Sequence, residues 1–304
     1  MFQKICRFEQ ISKETANVKL CQLFIIAFWM ALSGCASAQK NPVELWTCSL
    51  AWSPQEELLQ LLSLLEVKHD GSLDSIVKTT QNEWLRPKGK ERWEVQGLHE
   101  DKRAEIEPLL LKMGFIETVH ASQMQYDYGV ILGSYAPNVR TRLQFLMDEW
   151  NRGVRFRQLV FLGGERFVDE TQDQLKSFLP NKPKTETDVM KLIFAEAKLP
   201  KEMQKLEVVF VDAPAKKKPD GGMERPNTGD TIHTWLANAP KPGHVLAVST
   251  QPFVQYQDAV LKTLLPRSFQ VETVGAKAQK RVPVAVWLDN LARYLYQQRE
   301  RFRN

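Results

Sequence analysis

The chain has 304 residues, of which 43% are hydrophobic and 25% charged; this is the composition of a folded globular protein and excludes a disordered one. Its net charge of +5 is too small for a nucleic-acid binder, which needs a concentrated basic face, so no nucleic-acid partner is expected. The 4 cysteines (Cys6, Cys21, Cys35, Cys48) lie near the N-terminus with no Cys-x-x-Cys pair, and the 5 histidines are scattered without ligand spacing; a disulfide framework in the main domain and a structural metal are not expected.

Residues 1–19 carry Lys4, Arg7, Lys13 and Lys19 against Glu9 and Glu14. The apolar run from Leu20 to Ala31 follows, of signal-peptide length and shorter than the roughly 20 residues a spanning helix needs. Directly after it, Leu32-Ser33-Gly34-Cys35 matches the lipobox of bacterial lipoproteins, which makes Cys35 the candidate for lipidation and the attached lipid a membrane tether. Two other readings stand beside it: ordinary cleavage at Ala36-Ser37-Ala38, which releases a soluble periplasmic protein, and an uncleaved anchor. With Cys35 lipidated, Ala36 stands where an aspartate retains lipoproteins at the inner membrane, so the outer membrane of a Gram-negative cell is the expected destination.

Residues 39–125 read as a helical extension. Ser53-Pro54-Gln55-Glu56 has the form of a capping box, and the leucine-rich run Leu58 to Leu65 after it should be packed. Gly71-Ser72-Leu73-Asp74 predicts a second helix, and Pro108 to Met113, stopped by Gly114, a third. Trp84-Leu85-Arg86-Pro87 and Glu91-Arg92-Trp93 read as aromatics that anchor these helices on the main domain; a lid with Arg86 or Arg92 reaching into a pocket is the functional alternative.

From residue 126 to 304 apolar runs alternate with amphipathic segments. Strands are expected at Tyr128–Leu132, Gln158–Leu162, Val208–Val211, Val245–Val248 and Phe269–Val274. Helices are expected at Arg140–Arg152, Thr185–Ala197, Thr228–Leu236, Tyr256–Leu265 and Leu288–Arg299, and Lys216-Lys217-Lys218 reads as a solvated loop. Buried strands separated by helices predict an α/β fold: three layers, doubly wound, with a mainly parallel sheet.

Right-handed crossovers bring every loop that follows a strand to one edge of such a sheet, where ligands bind. The residues there are Gly133-Ser134, Gly163-Gly164-Glu165-Arg166, Arg225 with Asn227-Thr228, and Ser249-Thr250-Gln251. Glycines after a strand can let backbone N–H groups approach an anion, and Arg166 and Arg225 are suited to grip one bidentately. Glu165, Glu186 and Asp230 are the available proton acceptors, and Glu186 and Asp230 are taken as candidate catalytic residues. Each has a bland counterpart: the glycines make turns, Thr228 caps its helix, and Glu186 complements a helix dipole. No complete dinucleotide fingerprint, P-loop or hydrolase elbow occurs.

The order Val-Ile-Leu-Gly, Gly-Gly, Thr-Glu opening a helix, Asn-Thr before another, then Val-Ser-Thr is similar to the YdcF/ElyC/SanA family, over roughly residues 126–275. That resemblance implies a Rossmann-like pocket lined by these loops and a place in bacterial envelope biology. It maps onto Gly133, Gly163, Gly164, Glu186, Asn227, Thr228, Ser249 and Thr250. Where family members commonly carry a histidine and then an arginine after the fourth strand, this chain has Phe253 and Tyr256, within Gln-Pro-Phe-x-x-Tyr-Gln; no role of the replaced residues transfers.

The expectation is therefore an exported envelope protein whose pocket binds an anionic or nucleotide-like small molecule, its cofactor and reaction unassigned. A non-catalytic, lipid-tethered factor acting through a protein partner is the alternative, supported by the lipobox, the extra N-terminal helices and the lack of a nucleophile constellation; an exposed aromatic patch near Trp84 and Trp93 would favour it over a deep polar pocket. S-adenosylmethionine binding rests on fold analogy alone, and export from the cytoplasm argues against it.

Overall fold

The computed structural model describes residues 54–87, 90, 97–219, 221–279 and 281–303, all within one compact unit spanning Asn41–Asn304. The expected signal segment 1–38 with Cys35, and Ser53, Arg92 and Trp93, lie outside the described residues.

The extension forms α1 (Glu56–Leu64), α2 (Leu73–Glu83) and α3 (Arg103–Lys112). In α1 the residue before the helix is Gln55, which makes no side-chain cap bond, so Glu56 is the first helical residue; the expected capping residue Ser53 lies outside the described residues. Ser72 does cap α2, its hydroxyl accepting from the Ser75 backbone N–H at 3.1 Å. α3 begins five residues before Pro108, which it carries in its interior. Trp84 is only 1% exposed and packs with α8, in the anchoring role expected of it, so it forms no part of an exposed aromatic patch.

The alternating part follows in chain order as β1 (Tyr128–Leu132), α4 (Ala136–Asn151), β2 (Gln158–Gly164), α5 (Glu186–Glu196) and β3 (Glu207–Ala213). A two-residue hairpin, β4 (Lys216–Lys217) with β5 (Met223–Glu224), stands where a lysine loop was expected, and both its strands are exposed. Then come α6 (Thr228–Ala237), β6 (His244–Thr250), α7 (Val254–Leu264), β7 (Gln270–Ala276) and the long α8 (Val284–Arg303).

The central sheet has five strands in the order β3-β2-β1-β6-β7, and every pairing is parallel. It is a Rossmann-like doubly wound α/β fold. Strand alternation divides the core: Ile131, Phe161, Leu246 and Val248 pack with α4 and α5, whereas Val130, Leu132, Val160 and Ala247 pack with α6 and α7. A third cluster joins Leu58, Leu61, Ile76, Trp84, Ile106 and Leu110 of the extension to Trp287, Leu288, Leu291 and Leu295 of α8. Burial of such leucines contributes about 1.5–3 kcal/mol each, which fixes the extension on the C-terminal helix. The strand order reverses between β1 and β6, and the site lies at that edge of the sheet.

Candidate functional site

At the carboxyl ends of β1 and β2 a cavity of about 220 Å³ is lined by Arg86, Arg142, Arg166, Arg225 and Arg293. Glu186 is the one carboxylate on its wall among the described residues. Gly133, Ser134, Asn227 and Thr228 complete the expected part of the lining, while Tyr135, Thr231, Tyr256 and Gln257 were not foreseen.

Glu186 opens α5, and its carboxylate lies across the backbone that leaves β1. A methyl group on Gly133 would stand 2.8 Å from Glu186 Oε2 and 2.8 Å from the Leu162 carbonyl, so this close approach requires glycine. Burial pushes the Glu186 carboxyl above its ordinary 4.5, against the opposing pull of Arg166 and Arg142. A carboxyl held so is suited to carry a proton.

Arg166 was expected to grip a ligand, and its donors are engaged within the protein instead. It pairs bidentately with the buried Asp173, and its Nε donates to Glu186 Oε1 at 3.4 Å. Its remaining bonds go to the carbonyls of Phe167 (3.2 Å) and Ser134 (3.3 Å), and its guanidinium carbon lies 4.4 Å from the Tyr135 ring centre. Although burial opposes its charge, these carboxylates hold it firmly protonated. Arg166 thus positions Glu186 and contributes field more than a free fork.

Arg142 of α4 lies one turn from the buried Val139 and Leu146 and is 1% exposed. Its Nη1 donates to the Leu132 and Gly133 carbonyls, each at 2.7 Å, and satisfies the end of β1 where the strand ladder stops. Arg86 arrives from the extension, as the lid reading anticipated for it. Asp289 of α8 accepts from the Arg86 backbone N–H at 3.0 Å and holds Arg293 through Nε (2.9 Å) and Nη2 (3.0 Å). One carboxylate thereby fixes two arginines from distant parts of the chain. Burial works against the Arg293 charge, but Asp289 holds its proton more tightly than in a free arginine.

The other expected residues lie around the cavity. Gly163 and Gly164 still belong to β2, paired with Asp212 and Ala213. A methyl on Gly164 would stand 2.5 Å from Pro226 Cγ, and one on Gly163 2.8 Å from Met190 Sδ, so these glycines admit close packing. Both expected helix N-termini are filled by capping boxes: Thr185 with Asp188 on α5, and Asn227 with Asp230 on α6. Asp230 also pairs with Lys216, so this candidate catalytic residue is held in structural bonds and does not line the cavity. The arginines, rather than backbone N–H groups at these helix ends, give the cavity its positive charge.

Glu165 accepts from the Ala215 N–H at 2.9 Å and lies in an adjoining groove. Ser249 is buried and donates to Gln257, which faces the cavity. Thr250 accepts from Arg142 Nη2 at 3.4 Å. Gln251 ties the turn after α3 through its bonds to the Gly114 (2.8 Å) and Glu117 (3.0 Å) carbonyls, and Gln255 does the same to Met113 at 2.6 Å. The Gln-Pro-Phe-x-x-Tyr-Gln segment therefore has two faces: Gln251 and Gln255 hold the extension, Tyr256 and Gln257 line the cavity.

No group of His, Cys, Asp and Glu among the described residues is arranged to hold a metal ion, and no described helix is long and apolar enough to cross a membrane. No family model matches the chain, and no curated protein sequence matches it.

Proposed function

We propose that this chain is an exported cell-envelope protein whose cavity binds an anionic or nucleotide-like small molecule. The observation that carries this reading is the convergence of Arg86, Arg142, Arg166, Arg225 and Arg293 on one cavity at the ligand edge of a doubly wound sheet. Guanidinium forks in a partly desolvated site match phosphate and carboxylate oxygens. Arg225, with Arg86 and Arg293, forms the binding wall, Asn227 and Thr228 orient the ligand, and Glu186 carries a proton to or from it.

Export rests on the basic segment, the apolar run and Leu32-Ser33-Gly34-Cys35, with Cys35 as the lipid-bearing residue. The YdcF/ElyC/SanA resemblance agrees with this placement through Gly133, Glu186, Asn227 and Thr228, all of which line the cavity. The alternative, a factor acting only through a protein partner, gains no exposed aromatic at Trp84, which is buried.

The test is thermal unfolding of the purified protein against inorganic phosphate, nucleotides, sugar phosphates and carboxylates. A ligand at a hundredfold excess over its dissociation constant adds about 2.7 kcal/mol of stability, and this gain should vanish in Arg225→Ala. No stabilisation by any anion, or one unchanged in Arg225→Ala, would overturn the proposal.

A further inference from the structure

Beside the arginine cavity runs a second groove of about 320 Å³, and the two share Tyr135, Arg166 and Arg225. Away from those shared residues its walls carry four apolar side chains, Phe167, Val168, Ala215 and Met223, and two carboxylates already engaged by backbone N–H groups, Glu165 by that of Ala215 and Asp169 by those of Thr171 and Gln172. Phe167 is 73% exposed and Met223 52% exposed, and they face the groove from separate segments, the loop after β2 and strand β5. A phenylalanine left so open beside a cluster of guanidiniums is a costly arrangement in water, where burial contributes about 25 cal/mol for each Å² of apolar surface.

We propose that the site takes a phosphate monoester with an apolar organic group, the phosphate in the arginine cavity and the organic group over Phe167 and Met223. This rests on the anion-binding reading above and names its ligand class. Two features support it. The groove is continuous with the cavity through Tyr135 and Arg225, so one molecule can occupy both. Several guanidiniums also converge from different directions, which suits the tetrahedral oxygens of a phosphate better than the two coplanar oxygens of a carboxylate. The ring of Tyr135, already stacked with Arg166, stands at the junction between head and tail.

The experiment titrates the full chain with inorganic phosphate, glucose 6-phosphate, phenyl phosphate and octyl phosphate. Phenyl phosphate, octyl phosphate or both should bind at least about tenfold more tightly than inorganic phosphate and the sugar phosphate. The better of the two identifies the organic group as a ring or a chain. In the double variant Phe167→Ser, Met223→Ser that advantage should disappear while the affinity for inorganic phosphate stays unchanged. Equal affinity for all four probes, or an advantage that survives in the double variant, overturns the proposal while leaving phosphate binding intact. A double variant that unfolds at a shifted midpoint but keeps its selectivity assigns the patch to the chain's own packing, and this too overturns it. Failure of every phosphate to bind overturns this proposal; the anion reading falls with it only when the nucleotides and carboxylates of the unfolding test also give no stabilisation.

Discussion

Arg166 and Asp173 meet as a buried fork, with Nη1–Oδ2 at 2.9 Å and Nη2–Oδ1 at 3.1 Å. The carboxylate also accepts from the Ala136 backbone N–H at the start of α4 and from that of Asp169. Asp173 therefore ties the loop after β2 to the helix after β1, across the mouth of the cavity, and sets the guanidinium that steadies Glu186. Replacing it leaves the buried Arg166 charge with only the longer carboxylate contact to Glu186. Asp173→Ala should cost about 3–5 kcal/mol in chemical denaturation. A loss below about 1 kcal/mol would show that the fork does not organise this edge.

Glu186 has a folded-state pKa raised by burial. The sign follows from linkage: the protonated form is favoured in the folded protein, so its contribution is complete below the unfolded value near 4.5 and is lost as pH rises through the folded value. Glu186→Gln should therefore be less sensitive to pH across that window and gain stability relative to the parent on its alkaline side. Thermal midpoints of the two proteins measured from acid to neutral pH check this, and parallel curves would contradict it.

Gly133 lies directly under Glu186, with the Leu162 carbonyl on its other side. Carbonyl and carboxylate cannot both give way to a methyl group, so Gly133→Ala should destabilise by about 1–3 kcal/mol. It should also displace the Glu186 carboxylate and weaken phosphate binding. An alanine variant with the parent's stability and affinity would mean that the backbone leaving β1 moves freely.

Gln255 is fully buried and donates to the Met113 carbonyl at the end of α3. Gln255→Ala strands that carbonyl and should cost about 1–3 kcal/mol. Hydrogen exchange should rise in α2 and α3 before it rises in β1, because the lost bond lies between the extension and α7. Uniform acceleration across the sheet would show that extension and sheet open together.

The periodic elements and their edge were legible in the sequence because they arise from local patterning. Continuous apolar runs such as Tyr128–Leu132 mark strands buried on both faces, and amphipathic runs such as that around Leu143 and Leu146 mark helices. The two helix starts were expected at Thr185 and Thr228; the caps are Thr185 and, one residue earlier than expected, Asn227, each followed three residues on by aspartate, and that role leaves their N–H groups already bonded.

The arginine wall was decided by tertiary structure. Arg86 follows Trp84-Leu85, Arg142 stands between Thr141 and Leu143, and Arg293 lies between Ala292 and Tyr294, and no local pattern shared by the three marks an arginine turned into a cavity. Arg142 turns inward because the carbonyls ending β1 need donors; Arg86 and Arg293 meet because Asp289 binds both. The Arg86–Asp289 bond joins segments 203 residues apart, and the packing of the extension's leucines on α8 is what brings them together. Hydrophobic periodicity acts over a few residues and so can be read along the chain, whereas the convergence of charge depends on which surfaces that packing brings together.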